Sequence, residues 1–231
     1  MTSTGRHGRP RDEDRRHPRA HARRWSPAQL PFQIELPPAG LVLGVDGSGM
    51  SATFPLLVPT HSTRVGVVGE AGLARLLALR LLGQSCELTV VTRRTDEWRQ
   101  LAAGVPQTPF TISQELHRWP AEGSTPPWAL LIDMDDPPPP GFVRAAWSTV
   151  VHLAPSVPHG SGWWQSAQLV LTTRAHAREV AGLRPRLDAA ALDRLTDDDV
   201  VAVDHGGATV FRPSLTRAEY DLLMGFATVA P

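Results

Sequence analysis

The sequence predicts an α/β fold, on three observations. A chain of 231 residues with 42% hydrophobic content has apolar material for one sizeable core, and too little length for two ordinary domains. A β-branched run, Arg64-Val-Gly-Val-Val-Gly69, is followed by an amphipathic stretch from Glu70 to Gly83 and by a second β-branched run, Glu87 to Thr92. That order is a strand, a crossover helix and a second strand. Beyond it, short apolar runs alternate with helical patterns. The architecture expected is Rossmann-like: a mostly parallel sheet with flanking helices and an added β-hairpin, preceded by a disordered N-terminal tail.

Taken in order, residues 1–24 carry eight arginines against Asp12, Glu13 and Asp14, with no aliphatic side chain larger than alanine after the initiator methionine. Burial cannot offset the ordering entropy of such a segment, so residues 1–30 read as a disordered basic tail and 31–231 as one Rossmann-like domain. The folded part opens with Leu41 to Asp46 and Ser51 to Leu57, separated by Gly47-Ser-Gly-Met50, a hairpin signature. Gly44 to Ser51 also fits a phosphate-loop pattern with Met50 in place of lysine. Pro55 and Pro59 deny it the helix that such a loop must feed, so the turn reading is preferred.

The central helix carries Leu73, Leu76, Leu77 and Leu81 at helical spacing and should stop near Gly83. Asp96 to Ala103 then reads as a helix, Phe110 to Ile112 and Trp128 to Asp133 as strands, and Pro137 to Pro140 as a stiff linker. Thr149 to Leu153 and Gln168 to Thr172 read as strands, and Arg174 to Leu183 and Leu187 to Leu195 as helices. Val200 to Val203 and Thr209 to Phe211 form a hairpin around His205-Gly-Gly207. A final helix from Thr216 to Phe226 is capped by Ser214 or Thr216, with Glu219 three residues beyond the latter.

Composition closes several chemistries. All 23 basic residues are arginine, so there is no P-loop lysine, no Schiff base and no Tyr-x-x-x-Lys pair. The single Cys86 allows no intrachain disulfide and no cysteine metal pair, which fits a reducing, cytoplasmic compartment. No H-E-x-x-H or G-x-S-x-G motif occurs, and no metal site is expected. No apolar run reaches membrane-spanning length. Nucleic-acid binding is disfavoured, because the folded part lacks a basic patch interleaved with aromatics.

Gly66, Gly69 and Gly72 form G-x-x-G-x-x-G across the strand-to-helix turn, and Arg93-Arg94 follow the second strand. In a dinucleotide fold the glycines admit pyrophosphate to the helix N-terminus and the arginines suit a 2′-phosphate, which makes NADP an alternative ligand. The glycine spacing departs from G-x-G-x-x-G, and Glu70 would set a negative charge beside the phosphates. Asp133-Met-Asp135 suits a divalent metal held against sugar-nucleotide phosphates, which makes a sugar nucleotide the other alternative ligand, or a phosphatase site with Asp133 as nucleophile; it also suits a solvated acidic strand exit. No acid, base or nucleophile constellation converges, so no catalytic residue and no cofactor are expected.

Several segments together resemble a family. Pro55-Leu-Leu57, Thr63-Arg-Val-Gly-Val-Val-Gly69, the helix bearing Arg80, and Val90-Val-Thr-Arg-Arg94 followed by Trp98 are similar to the soluble domain of EccE-type components of actinobacterial type VII (ESX) secretion systems. Gln168-Leu-Val-Leu-Thr172, Leu195 to Ala202 and Leu215 to Glu219 continue the likeness. The resemblance implies a non-enzymatic accessory or scaffold module, with secretion-system proteins as partners, on the cytoplasmic side of the membrane. That family carries two N-terminal membrane helices. Here the basic tail would replace them by peripheral attraction to acidic lipid at the inner face.

Overall fold

The computed structural model describes residues 40–116, 119–120, 125–139, 145–183 and 192–224. The basic tail, most of the helix expected over Leu187 to Leu195, the end of the proline linker and the last residues of the final helix lie outside the described residues. Ten strands form one sheet, in the order β2-β1-β10-β9-β8-β3-β7-β6-β4-β5. Their ranges are β1 Leu41–Asp46, β2 Ser51–Phe54, β3 Ser62–Val68, β4 Glu87–Thr92, β5 Phe110–Ser113, β6 Trp128–Asp133, β7 Ser148–Ala154, β8 Leu169–Thr173, β9 Val200–Asp204 and β10 Ala208–Pro213.

The sheet has two halves. From β8 through β3, β7, β6 and β4 to β5 every pairing is parallel, whereas β9, β10, β1 and β2 extend the β8 edge by antiparallel pairings. β3 and β7 are central and nearly wholly buried, as continuous Val/Leu runs covered on both faces should be. The observed architecture is therefore a mixed α/β sheet with flanking helices. It departs from a Rossmann arrangement at the first crossover: β3 and β4, joined by one helix, are separated by β7 and β6.

Two apolar layers sandwich the sheet. One contains α1 (Ala71–Gly83), α2 (Thr95–Gly104) and the inner side of α5 (Arg217–Met224), with Leu77, Leu81, Trp98 and Leu101 packed on Val65, Val67 and Leu131. The other contains α3 (Gly162–Gln165) and α4 (Ala177–Leu183), with Trp163, Trp164 and Val180 packed on Val68, Leu130 and Val150. α1 ends in a Schellman turn: the Cys86 amide donates to Leu81 O at 3.2 Å and the Ser85 amide to Leu82 O at 2.9 Å. The left-handed residue is Ser85 (φ 60°), two positions past the glycine expected to stop the helix. The β1–β2 hairpin is held by the Asp46 carboxylate, which accepts from the amides of Ser48 (2.9 Å) and Met50 (3.0 Å). No described helix is long and apolar enough to cross a membrane.

Candidate functional site

In an open parallel sheet, ligands settle at the carboxyl ends of the strands where successive connections leave for opposite faces. Here that place lies between β3 and β7. The exit of β3 feeds α1 on one face, and the exit of β7 feeds α3 on the other. A cleft of about 320 Å³ opens there, reaching from Gly69 and Ala71 at the β3 exit, past Ala154, to Asp133, Arg93 and Arg94. A larger recess of about 470 Å³ at the opposite end of the sheet is walled by prolines and Trp147 and holds no titratable side chain.

The glycines of the expected turn do different jobs. Gly66 lies within β3, where a Cβ would come within 2.4 Å of the Trp164 ring, so its bareness serves core packing. Gly69 makes the turn, with φ +84°, and the His176 ring lies against it. Its amide is taken by Ala154 O at 2.9 Å. Gly72 stands in open space in the first turn of α1, whose N-cap residue Glu70 makes no side-chain cap bond. Ala71 lines the cleft, so α1 meets it with an N-terminus, the positive end of the helix dipole, that has no capping side chain.

The two arginines reach the cleft from the β4 exit. Arg93 is exposed and makes no ion pair among the described residues. Arg94 binds Asp133 by two edges, Nε donating to Oδ2 at 3.1 Å and Nη2 donating to Oδ1. The Asp133 Oδ2 also accepts from the Thr92 hydroxyl at 2.8 Å and from the Trp98 indole N–H at 2.9 Å. Burial pushes the Asp133 carboxyl up, but the bonds from Arg94, Trp98 and Thr92 outweigh it and hold the group below its ordinary value. The same hydrogen bond with Asp133 raises Arg94 above its own.

His152 on β7 supports the floor. Its Nδ1 accepts from the Trp164 indole N–H at 2.8 Å, which leaves the proton on Nε2 to donate to Met134 O at 3.0 Å. This bond ties β7 to the acidic strand exit of β6, and Asp135 stands exposed at the cleft rim. His152 and His176 fall near element ends in the sequence but belong to no spaced motif, and strand pairing brings them beside the exits of β6 and β3.

No protein-family model and no curated protein matches the chain. Solved structures do. VirB4 of Thermoanaerobacter pseudethanolicus shares the fold at 9% identity and a TM-score of 0.55, over 80% of this chain and 99% of that one. The pCW3 conjugation coupling protein TcpA, solved with ATPγS, shares it at 11% identity and 0.51, over 74% of this chain and 64% of that one. The cytoplasmic domain of the Thermomonospora curvata type VII secretion ATPase EccC is similar at 11% identity and 0.48, over 82% and 31%, too loosely to carry weight.

These neighbours overturn three expectations: that the chain is non-enzymatic, that it is an accessory scaffold, and that it takes no cofactor. The fold is one that TcpA, solved with a nucleoside triphosphate analogue, also adopts. The missing lysine excludes one residue type, whereas arginine also carries phosphate charge, and the strand order shared with these structures is revealed by no periodicity. NADP gains no support either. In a dinucleotide fold the second strand lies beside the first; here β7 and β6 lie between β3 and β4, so Arg93 and Arg94 do not leave the strand next to the glycine turn, as the 2′-phosphate reading requires.

Proposed function

We propose that the chain is a nucleoside-triphosphate-binding enzyme whose phosphate site is the cleft at the β3, β4, β6 and β7 exits. The observation that carries this reading is the pairing, across one elongated cleft, of an uncapped helix N-terminus with two arginines, one free of carboxylates among the described residues. An elongated polyanion fits that charge distribution better than a single phosphate does. The α1 amides would receive one end of the phosphate chain, and Arg93 and Arg94 the other. Asp135 is the exposed carboxylate available to a magnesium ion accompanying the nucleotide, the phosphates supplying its remaining ligands. Guanidinium groups stabilise charge that develops on a transferring phosphoryl group, so the arrangement suits hydrolysis, in which water bonds to the terminal phosphorus and the bridging P–O bond breaks.

Titration calorimetry with MgATP, together with phosphate release, tests this. Binding is expected, and Arg93→Ala and Arg94→Ala should each weaken it about tenfold. Phosphate release should vanish in the double variant. No heat and no phosphate release at millimolar MgATP would overturn the reading.

The partners that suit this reading are proteins of a secretion or conjugation machine. TcpA is a conjugation coupling protein, and the EccE-like segments, among them Thr63 to Gly69, point to type VII secretion. A cytoplasmic position, with the basic tail against acidic lipid, belongs to the same proposal.

A further inference from the structure

Asp133 ends a strand and faces the cleft, the position from which a carboxylate would be expected to take a cation. Its hydrogen bonds assign it other work. Oδ2 accepts from Thr92, Trp98 and Arg94 Nε, and Oδ1 accepts from Arg94 Nη2. A carboxylate offers about four lone-pair sites; Asp133 accepts four hydrogen bonds, three on Oδ2 and one on Oδ1, in a side chain only 5% exposed.

Arg94 is the complement. Asp133 engages two of the five guanidinium N–H groups, and the other three have no hydrogen-bond partner among the described residues. The side chain is 46% exposed in the cleft. The Arg94 amide also donates to the Thr92 hydroxyl at 2.8 Å, so the backbone and the head of the residue are tied to one cluster. A long arginine loses rotamer entropy when it binds a phosphate, and a side chain already clamped has less to lose.

We propose that Asp133, backed by Thr92 and Trp98, is a positioning residue: it grips one edge of the Arg94 guanidinium so that the opposite edge faces the nucleotide phosphates. This rests on the cleft being the nucleotide site. The carboxylate acts wholly through Arg94, and its removal therefore has no effect once Arg94 is gone.

The test is a double-mutant cycle on MgATP affinity in the full chain. Asp133→Asn and Arg94→Gln should each weaken binding about tenfold, and the double variant should bind no more weakly than Arg94→Gln alone, a coupling of about tenfold. In arginine-¹⁵N spectra without nucleotide, the Arg94 Nε–H should resist exchange in the wild type and lose that protection in Asp133→Asn. Should Asp133→Asn fail to fold, Trp98→Phe in both backgrounds carries the cycle, weakening binding only where Arg94 is present. Additive losses, or an unprotected Nε–H in the wild type, overturn the positioning role while nucleotide binding stands. A wild type that binds no MgATP overturns both.

Discussion

At His152 the ring is wholly buried between Trp163 and Trp164, with Nδ1 accepting and Nε2 donating, a geometry that only the neutral imidazole satisfies. Burial lowers its affinity for a proton below the ordinary value of 6.5, although the bond to Met134 O opposes the shift. The unfolded chain therefore binds the proton first. The stability this group confers is complete above pH 6.5 and is lost as pH falls below that value, because there the unfolded state holds more protons than the native one. Urea unfolding at pH 5.5 should show less stability from this source than at pH 7.5. His152→Gln, which can still accept from Trp164 and donate to Met134 O, should flatten that difference. The depressed carboxyls of Asp133 and Glu219 act below this window, losing their contribution as pH falls through and beneath the ordinary carboxylate range. Little of this was legible in the sequence: a histidine amid Val150-Val-His-Leu153 carries no spacing signal, and its Trp164 partner arrives from a helix twelve residues on. Gly66 misleads in the opposite way. It stands in a glycine series that looks like a phosphate turn, and only the Trp164 ring above it shows why a side chain is excluded there.

Among the elements, α5 was read most fully from sequence. Thr216 and Glu219 form the expected capping box, the Glu219 amide donating to the Thr216 hydroxyl at 3.2 Å and the Thr216 amide donating to Glu219 Oε2 at 2.8 Å. A cap is a local device, and its spacing is visible in four residues. What spacing does not show is that Glu219 also accepts from Arg80 Nε on α1 at 2.9 Å, while the same guanidinium donates to the carbonyls of Val42 and Ser214. One arginine thus fastens α1, β1 and the approach to α5, with both partners of the pair largely shielded from water. Glu219→Ala removes the cap and leaves a shielded guanidinium without its carboxylate, and should cost about 2–4 kcal/mol in urea denaturation. Glu219→Gln retains a capping acceptor and should cost about half as much. The strands show the same division. β4, β6 and β7 were placed to within a residue or two by their β-branched runs, and their neighbours in the sheet were not.

For the whole molecule, the order β8-β3-β7-β6-β4-β5 shapes the candidate site more than any motif does. It puts the two connections that flank the central strands on opposite faces, opens the cleft, and separates the glycine turn from Arg93 and Arg94 by two strands. A ligand held there stabilises the folded state by mass action. MgATP at one hundred times its dissociation constant should add about 2.7 kcal/mol and raise the melting temperature of a chain this size by about 5–10 °C, whereas NADPH at the same concentration should not. Differential scanning fluorimetry separates the two outcomes. By itself the sequence determined what depends on neighbours along the chain: the α/β alternation, the helix from Ala71 to Gly83, both hairpins, the capping box, and the exclusion of lysine chemistry. The tertiary structure alone decided which strands lie side by side, that Gly66 serves Trp164, and that Asp133 is spent on Arg94. The reason is physical. Periodicity and capping are short-range steric and hydrogen-bonding effects written within a few residues, whereas strand order is the cheapest joint burial of all the apolar faces at once.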